Sequence, residues 1–166
     1  MIELERTFLA KSVPEDLRSY PHKRIVDLYV KNGTEKLDLR IRQNGDSYEI
    51  TRKRPVEGTD SSKQEEQTIA LEKTEFESLS SASVRKIEKT RYYYPVGDAT
   101  AEFDIFEGDL AGLVLVDFEF KTEADMAAFA MPDFCLADVS QDVPTAGGVL
   151  AGKSYTDIES ELDKYH

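Results

Sequence analysis

The chain has 166 residues, 33 of them acidic and 21 basic, for a formal net charge of −12. That balance argues against a nucleic-acid binder that neutralises many phosphates, but leaves room for a small anion gripped by a local cluster of arginines. A single cysteine, Cys135, excludes an internal disulfide framework and suits a reducing cytoplasm; two histidines cannot make the usual zinc site; and no apolar run or basic leader suggests a membrane span or export.

Period-2 alternation dominates the chain. "IELERTFL" reads as a strand with Ile2, Leu4 and Phe8 on one face and Glu3 and Glu5 on the other. "VPEDLRSY" reads as a short helix with Pro14 in its first turn. "KRIVDLYVK" is a second strand, stopped by Asn32-Gly33, and "KLDLRIRQ" a third with Arg40 and Arg42 on its polar face. Asn44-Gly45 signals a hairpin leading into "SYEITRK", after which "RPVEGTDSSK" is a polar loop. "EEQTIAL" is a strand and "KTEFESLSSA" a helix. "VRKIEKTRYYYP", "TAEFDIFEG" and "GLVLVDFEF" supply three more strands. "TEADMAAFA" is a helix stopped by Pro132, and Ser154 with Asp157 forms a capping box before a last helix carrying Ile158, Leu162 and Tyr165. The expectation is one α+β domain over residues 1–166: an eight-stranded antiparallel barrel to about residue 120, then a helical segment from about 121 to 166.

Almost every strand carries an ionisable pair at i and i+2: Glu3 and Glu5, Arg40 and Arg42, Lys89 and Arg91, Glu102 and Asp104, Asp117 and Glu119, with Lys53 closing one strand and Glu65 opening the next. One reading is a solvated sheet face. The other is a barrel interior of both signs, ruinous if dry but sensible if it holds water, a hard cation and a polyanion. With no zinc set available, any metal here is one held by carboxylates, Mg²⁺ or Mn²⁺. The basic run in "SVRKIEKTRYYYP" reads as a barrel wall, since alternation points Lys86 and Glu88 away from Lys89 and Arg91. Cys135, among the apolar neighbours of "MPDFCLADV", reads as a packed and inert thiol.

These strands resemble the CYTH-domain proteins, the triphosphate tunnel metalloenzymes. "ELERTFL" is similar to the family's opening E-x-E-x-K strand, "LRIRQ" to its R-x-R, "ITRK" to its T-x-K, "EKTRYY" to its K-x-R-Y, "EFDIF" to its E-x-D-x-F and "VDFEF" to its E-x-E. The six motifs keep their order from Ile2 to about Asp142, and the later ones are most similar to the short bacterial inorganic triphosphatases.

The resemblance implies a barrel whose hydrophilic tunnel holds a triphosphate and Mg²⁺ or Mn²⁺. Arg40, Arg42, Lys53, Lys89 and Arg91 would grip phosphates, and Glu3, Glu5, Asp104, Asp117 and Glu119 would serve metals. Lys53 would also serve catalysis, with Glu5 or Glu65 as candidate general base for in-line attack of water. The implied activity is metal-dependent hydrolysis of inorganic triphosphate by a cytoplasmic monomer or homodimer. An adenylate cyclase or thiamine-triphosphatase acting on its own triphosphate, or a non-catalytic polyphosphate binder, are the alternatives. No nucleic-acid or membrane partner is expected.

The chain also departs from the family pattern. Thr7 stands where the motif has lysine, Asp117 replaces a glutamate, and Gln67 occupies a position usually acidic. Lys11, in phase with Glu3, Glu5 and Thr7 if the strand runs that far, and Lys153 are the candidates to replace the lysine.

Overall fold

The eight alternating stretches form the eight strands of a closed barrel, and a short ninth strand joins the edge of the first, in a computed structural model that describes residues 1–166 apart from the side chains of Ser83 and Val84. They are β1 (Ile2–Ala10), β2 (His22–Val30), β3 (Leu39–Asn44), β4 (Ser47–Pro55), β5 (Lys63–Leu71), β6 (Ser83–Val96), β7 (Ala99–Phe106), β8 (Val114–Phe120) and β9 (Cys135–Asp138). The sheet runs β5-β4-β3-β2-β6-β7-β8-β1-β9, and a further β5–β1 pairing closes it. All pairings are antiparallel.

Closure divides one edge of β1 between two partners. Its first residues, Ile2 to Leu4, pair with Lys63 to Glu65 of β5, and Phe8 to Ala10 pair with β9. β9 lies inside the segment expected to be helical. Its four residues are too few to show alternation, and an edge already offered by β1 specifies them instead.

The helices are short and lie outside or below the barrel: α1 (Lys73–Leu79), α2 (Glu123–Ala128), α3 (Gly147–Leu150) and α4 (Tyr155–Leu162). The Ser154–Asp157 capping box forms, with the Ser154 amide donating to Asp157 at 2.8 Å. "VPEDLRSY" is not a helix but a single 3₁₀ turn, Leu17–Ser19, that buries only Leu17. A segment this short cannot recover the cost of nucleating an α-helix.

The inward and outward strand faces build different cores. Outward side chains Phe8, Phe103, Val116 and Phe118 pack beneath Leu17 and Cys135. Inward ones at one end of the barrel, Leu9, Tyr29, Ile87, Phe106 and Leu115, meet Val139, Leu150, Ile158 and Leu162 from the C-terminal segment. That apolar floor closes one end, so the interior is a cup. Gly148 permits the closure: an added Cβ would lie 1.8 Å from the Leu37 carbonyl oxygen. Among the described residues, no helix is long and apolar enough to cross a membrane.

Candidate active site

Above the apolar floor the cup encloses about 360 Å³. Inward positions of seven strands line it: Glu3, Glu5 and Thr7 on β1, Asp27 on β2, Arg40 and Arg42 on β3, Glu49, Thr51 and Lys53 on β4, Lys89, Arg91 and Tyr93 on β6, Glu102 and Asp104 on β7, and Asp117 and Glu119 on β8. β5 adds Gln64 and Glu66. Eleven acidic side chains and six basic ones line the cavity in all, an excess that an unaccompanied polyanion would meet as repulsion.

The cations stand on fixed acidic supports. Arg42 donates twice to Asp27, at 2.6 and 2.8 Å, a forked pair that only guanidinium and carboxylate geometry allows. Burial works to raise the Asp27 carboxyl, but Arg42 and Arg40 outweigh it and hold the group well below the usual carboxylate range. Arg91 is held by three carboxylates: it donates to Asp104 at 2.7 and 2.8 Å, to Asp117 at 2.9 Å, and to Glu102. Lys89 donates to the same Asp104, which burial would raise but Arg91 and Lys89 keep ionised. Burial lowers Lys89 below the ordinary lysine range, with Asp104 offsetting part of the drop and Arg91 adding to it.

Arg40 differs. Its Nη1 lies 3.5 Å from the Tyr29 hydroxyl and its Nε 3.8 Å from Asp27, and that buried Nε has no hydrogen-bond partner. A buried guanidinium N–H left without an acceptor is costly unless an anion completes it.

Carboxylates gather on the opposite wall. Oxygens of Glu3, Glu5 and Glu119 come within 4.8 Å of one another. Three hard oxygen donors at this separation suit Mg²⁺ or Mn²⁺, and among the described residues no histidine or cysteine joins them. Burial raises Glu119, with Glu102 adding to it, while Lys53 and Arg91 pull the other way. Lys53 forms an ion pair with Glu3 and lies 3.5 Å from Glu66. Burial opposes its ammonium, but Glu5 and Glu3 outweigh burial and hold Lys53 above the ordinary lysine range.

Of the residues expected to bind phosphate, hold metal or serve catalysis, all but Glu65 face the cavity. Glu65 is exposed on the outer face of β5. Lys53 opposes Glu66 and Glu3 opposes Gln64, so Glu66 is the inward acid. A side-chain period of two makes a one-residue error a change of face, and two adjacent glutamates hide it. Gln67 likewise points outward, so no acid is missing from the cavity there.

The expected five-carboxylate metal set also divides. Asp104 and Asp117 stand outside the glutamate trio, their oxygens taken by Lys89, Arg91 and Thr7. Lys11 is exposed beyond a register irregularity between Leu9 and Ala10, and neither it nor Lys153 lines the cup. Sequence reasoning passed over Asp27, a lone acid in phase with Ile25 and Tyr29. It also passed over Glu66, Glu49 and Ser140. The available signal for Asp27 was a charge inside the apolar run Ile25 to Val30.

The geometry defines a class: a closed antiparallel barrel whose blind interior opposes a carboxylate trio to an arginine and lysine wall. Residues 1–133 match the CYTH domain. An inorganic triphosphatase of Nitrosomonas europaea is 36% identical over 145 residues, covering 86% of this chain and 91% of that protein. The crystal structure of an inorganic triphosphatase superposes with a TM-score of 0.65 at 30% identity, covering 90% of this chain and 93% of the other. A putative adenylate cyclase of Bacillus halodurans, 14% identical with a TM-score of 0.53 over 75% of this chain and 83% of its own, shares the fold. This chain belongs to the CYTH family.

Proposed function

We propose that the chain is a metal-dependent hydrolase of inorganic triphosphate. The observation that carries this reading is the pairing, in one small blind cavity, of a carboxylate trio with a wall of cations that includes the unsatisfied Nε of Arg40. The N. europaea relative, named an inorganic triphosphatase, supports it.

Glu3, Glu5 and Glu119 would hold Mg²⁺ or Mn²⁺. The bound ion supplies charge neutralisation for the phosphoryl oxygens. Arg40, Arg42, Lys89, Arg91 and Lys53 bind and orient the phosphate chain. Their acidic supports fix these cations before substrate arrives, so little reorganisation is left for the reaction itself. Glu5, which like Glu49 and Glu119 has no ion-pair partner among the described residues, is the carboxylate we assign to take the proton of the attacking water.

A nucleotide fits the cavity less well. The aromatic side chains lining it are Tyr29, Tyr93 and Phe106, and Tyr29 and Phe106 belong to the packed floor. That leaves Tyr93 as a stacking surface at the open side.

The test is phosphate release from tripolyphosphate, ATP and thiamine triphosphate, each with Mg²⁺ and with Mn²⁺, beside Glu5→Gln. Metal-dependent release from tripolyphosphate that Glu5→Gln abolishes is the expected result. Silence on all three, with a melting temperature still raised by tripolyphosphate, establishes a binding protein instead.

A further inference from the structure

We propose that the Lys53 ammonium is a built-in competitor for the metal site: it neutralises Glu3 until a divalent cation displaces it towards Glu66 and the substrate phosphates. The inference rests on the function proposed above and assigns Lys53 a second task within it.

Three observations support it. First, Glu3, Glu5 and Glu119 crowd their oxygens within 4.8 Å, an arrangement of like charges that a nearby cation stabilises. Second, among the described residues Lys53 is the cation that forms an ion pair with that trio, through Glu3. The other cations of the wall are committed elsewhere: Arg40 and Arg42 face Asp27, Lys89 faces Asp104, and Arg91 faces Glu102, Asp104 and Asp117. Third, Lys53 has a second acid within reach. Glu66 is its cross-strand partner and lies 3.5 Å away, and a lysine stem can swing between two such positions by rotation alone.

An ammonium and a divalent ion cannot share Glu3 at full strength. Metal entry therefore releases Lys53, and a phosphate that draws Lys53 away frees Glu3. The two ligands favour each other through this exchange, in addition to any direct contact between them, and the coupling is reciprocal. Metal without substrate has to displace Lys53 alone, so its binding is held weak.

The experiment is a titration of Mn²⁺ alone, followed by calorimetry, into the substrate-free wild type and into Lys53→Met, Lys53→Arg and Lys89→Met. Methionine keeps the apolar stem and removes the charge. Lys53→Met is expected to bind Mn²⁺ about tenfold more tightly than the wild type, a typical coupling between neighbouring sites. Lys53→Arg, which keeps the charge, is expected to bind no more tightly than the wild type. Lys89→Met makes the same change in net charge away from the trio, and its gain should be much smaller.

Equal tightening by Lys89→Met, or no tightening by Lys53→Met, overturns the proposal while leaving the triphosphatase reading intact. A wild type and a Lys53→Met variant that both bind no Mn²⁺ overturn both. Should Lys53→Met fail to fold, the nitrogen NMR signal of Lys53 Nζ in the wild type answers the same question. Mg²⁺ must shift it more than that of Lys89, and a stationary signal overturns the proposal.

Discussion

Thr7 Oγ1 donates to Asp117 Oδ1 at 2.7 Å, between residues directly opposite each other on β1 and β8. These are two of the positions at which the chain departs from the family pattern, so the two departures are one contact. A short hydroxyl has met a shortened carboxylate, whose other oxygen accepts from Arg91 at 2.9 Å. Asp117 thereby becomes a clamp on Arg91, one of the cations proposed to bind phosphate.

Replacing Thr7 by lysine should raise turnover of tripolyphosphate. The new ammonium would arise between Glu5 and Asp117, both acidic and both facing the cavity. There it could reach a phosphate oxygen that the hydroxyl cannot. A gain of about tenfold in kcat is expected, the lower edge of what a positioned acid–base group contributes. Unchanged or reduced kcat in steady-state phosphate release would show that the Thr7–Asp117 contact is a complete solution and not a loss.

Asp117 also predicts a pH dependence of stability. Burial, with Glu5 beside it, pushes its carboxyl up from the ordinary 3.8 to about 6, against the pull of Arg91. The folded protein therefore keeps a proton that the unfolded chain has already released. Where the native state binds more protons, stability falls as pH rises, here across the window from about pH 4 to about pH 6. Asp117→Asn cannot titrate, so urea midpoints of the wild type should fall relative to the variant's across that window, with a chelator present throughout. A difference that stays flat from pH 4 to 7 would exclude the shift.

Much of the barrel was legible because a period of two is a strong signal when one strand face is apolar and the other charged. The ionisable pairs on β1, β3, β6, β7 and β8 reach the cavity because each strand carries enough alternation to fix its phase. β5 does not: Glu65 and Glu66 are adjacent, and only pairing with β1 and β4 decides between them. Asp27 showed in the sequence only as a charge within an apolar run, because its role depends on Arg42 arriving across the sheet. β9 and α3 are too short to have a period at all; the edge of β1 and the space beside Leu37 define them.

The phase of β5 can be read out directly. Glu65→Gln alters an exposed outer side chain and should leave kcat/KM for tripolyphosphate within about twofold, as surface changes usually do. Glu66→Gln removes an acid that faces Lys53 at 3.5 Å and accepts from Thr68 at 3.0 Å. Loss of that support should lower kcat/KM by about tenfold, on the scale of a misplaced binding group. The opposite ranking would put β5 one residue out of register.

Closure of the cup can be tested at Gly148. The Leu37 amide donates to the Gly148 carbonyl oxygen at 3.3 Å, and a Cβ on Gly148 would stand 1.8 Å from the Leu37 carbonyl oxygen and 2.8 Å from its carbon. Those are backbone atoms, which cannot turn aside as a flexible side chain would. Gly148→Ala must either strain the contact, at about 3 kcal/mol by the usual cost of overpacking, or lift α3 off the barrel end. The two outcomes differ in urea denaturation. Strain lowers the midpoint with the slope unchanged, whereas a lifted floor exposes Leu150 and its neighbours and reduces the slope, because less surface remains to be exposed on unfolding. A variant as stable as the wild type would mean that the end of the barrel is held by something other than this close approach.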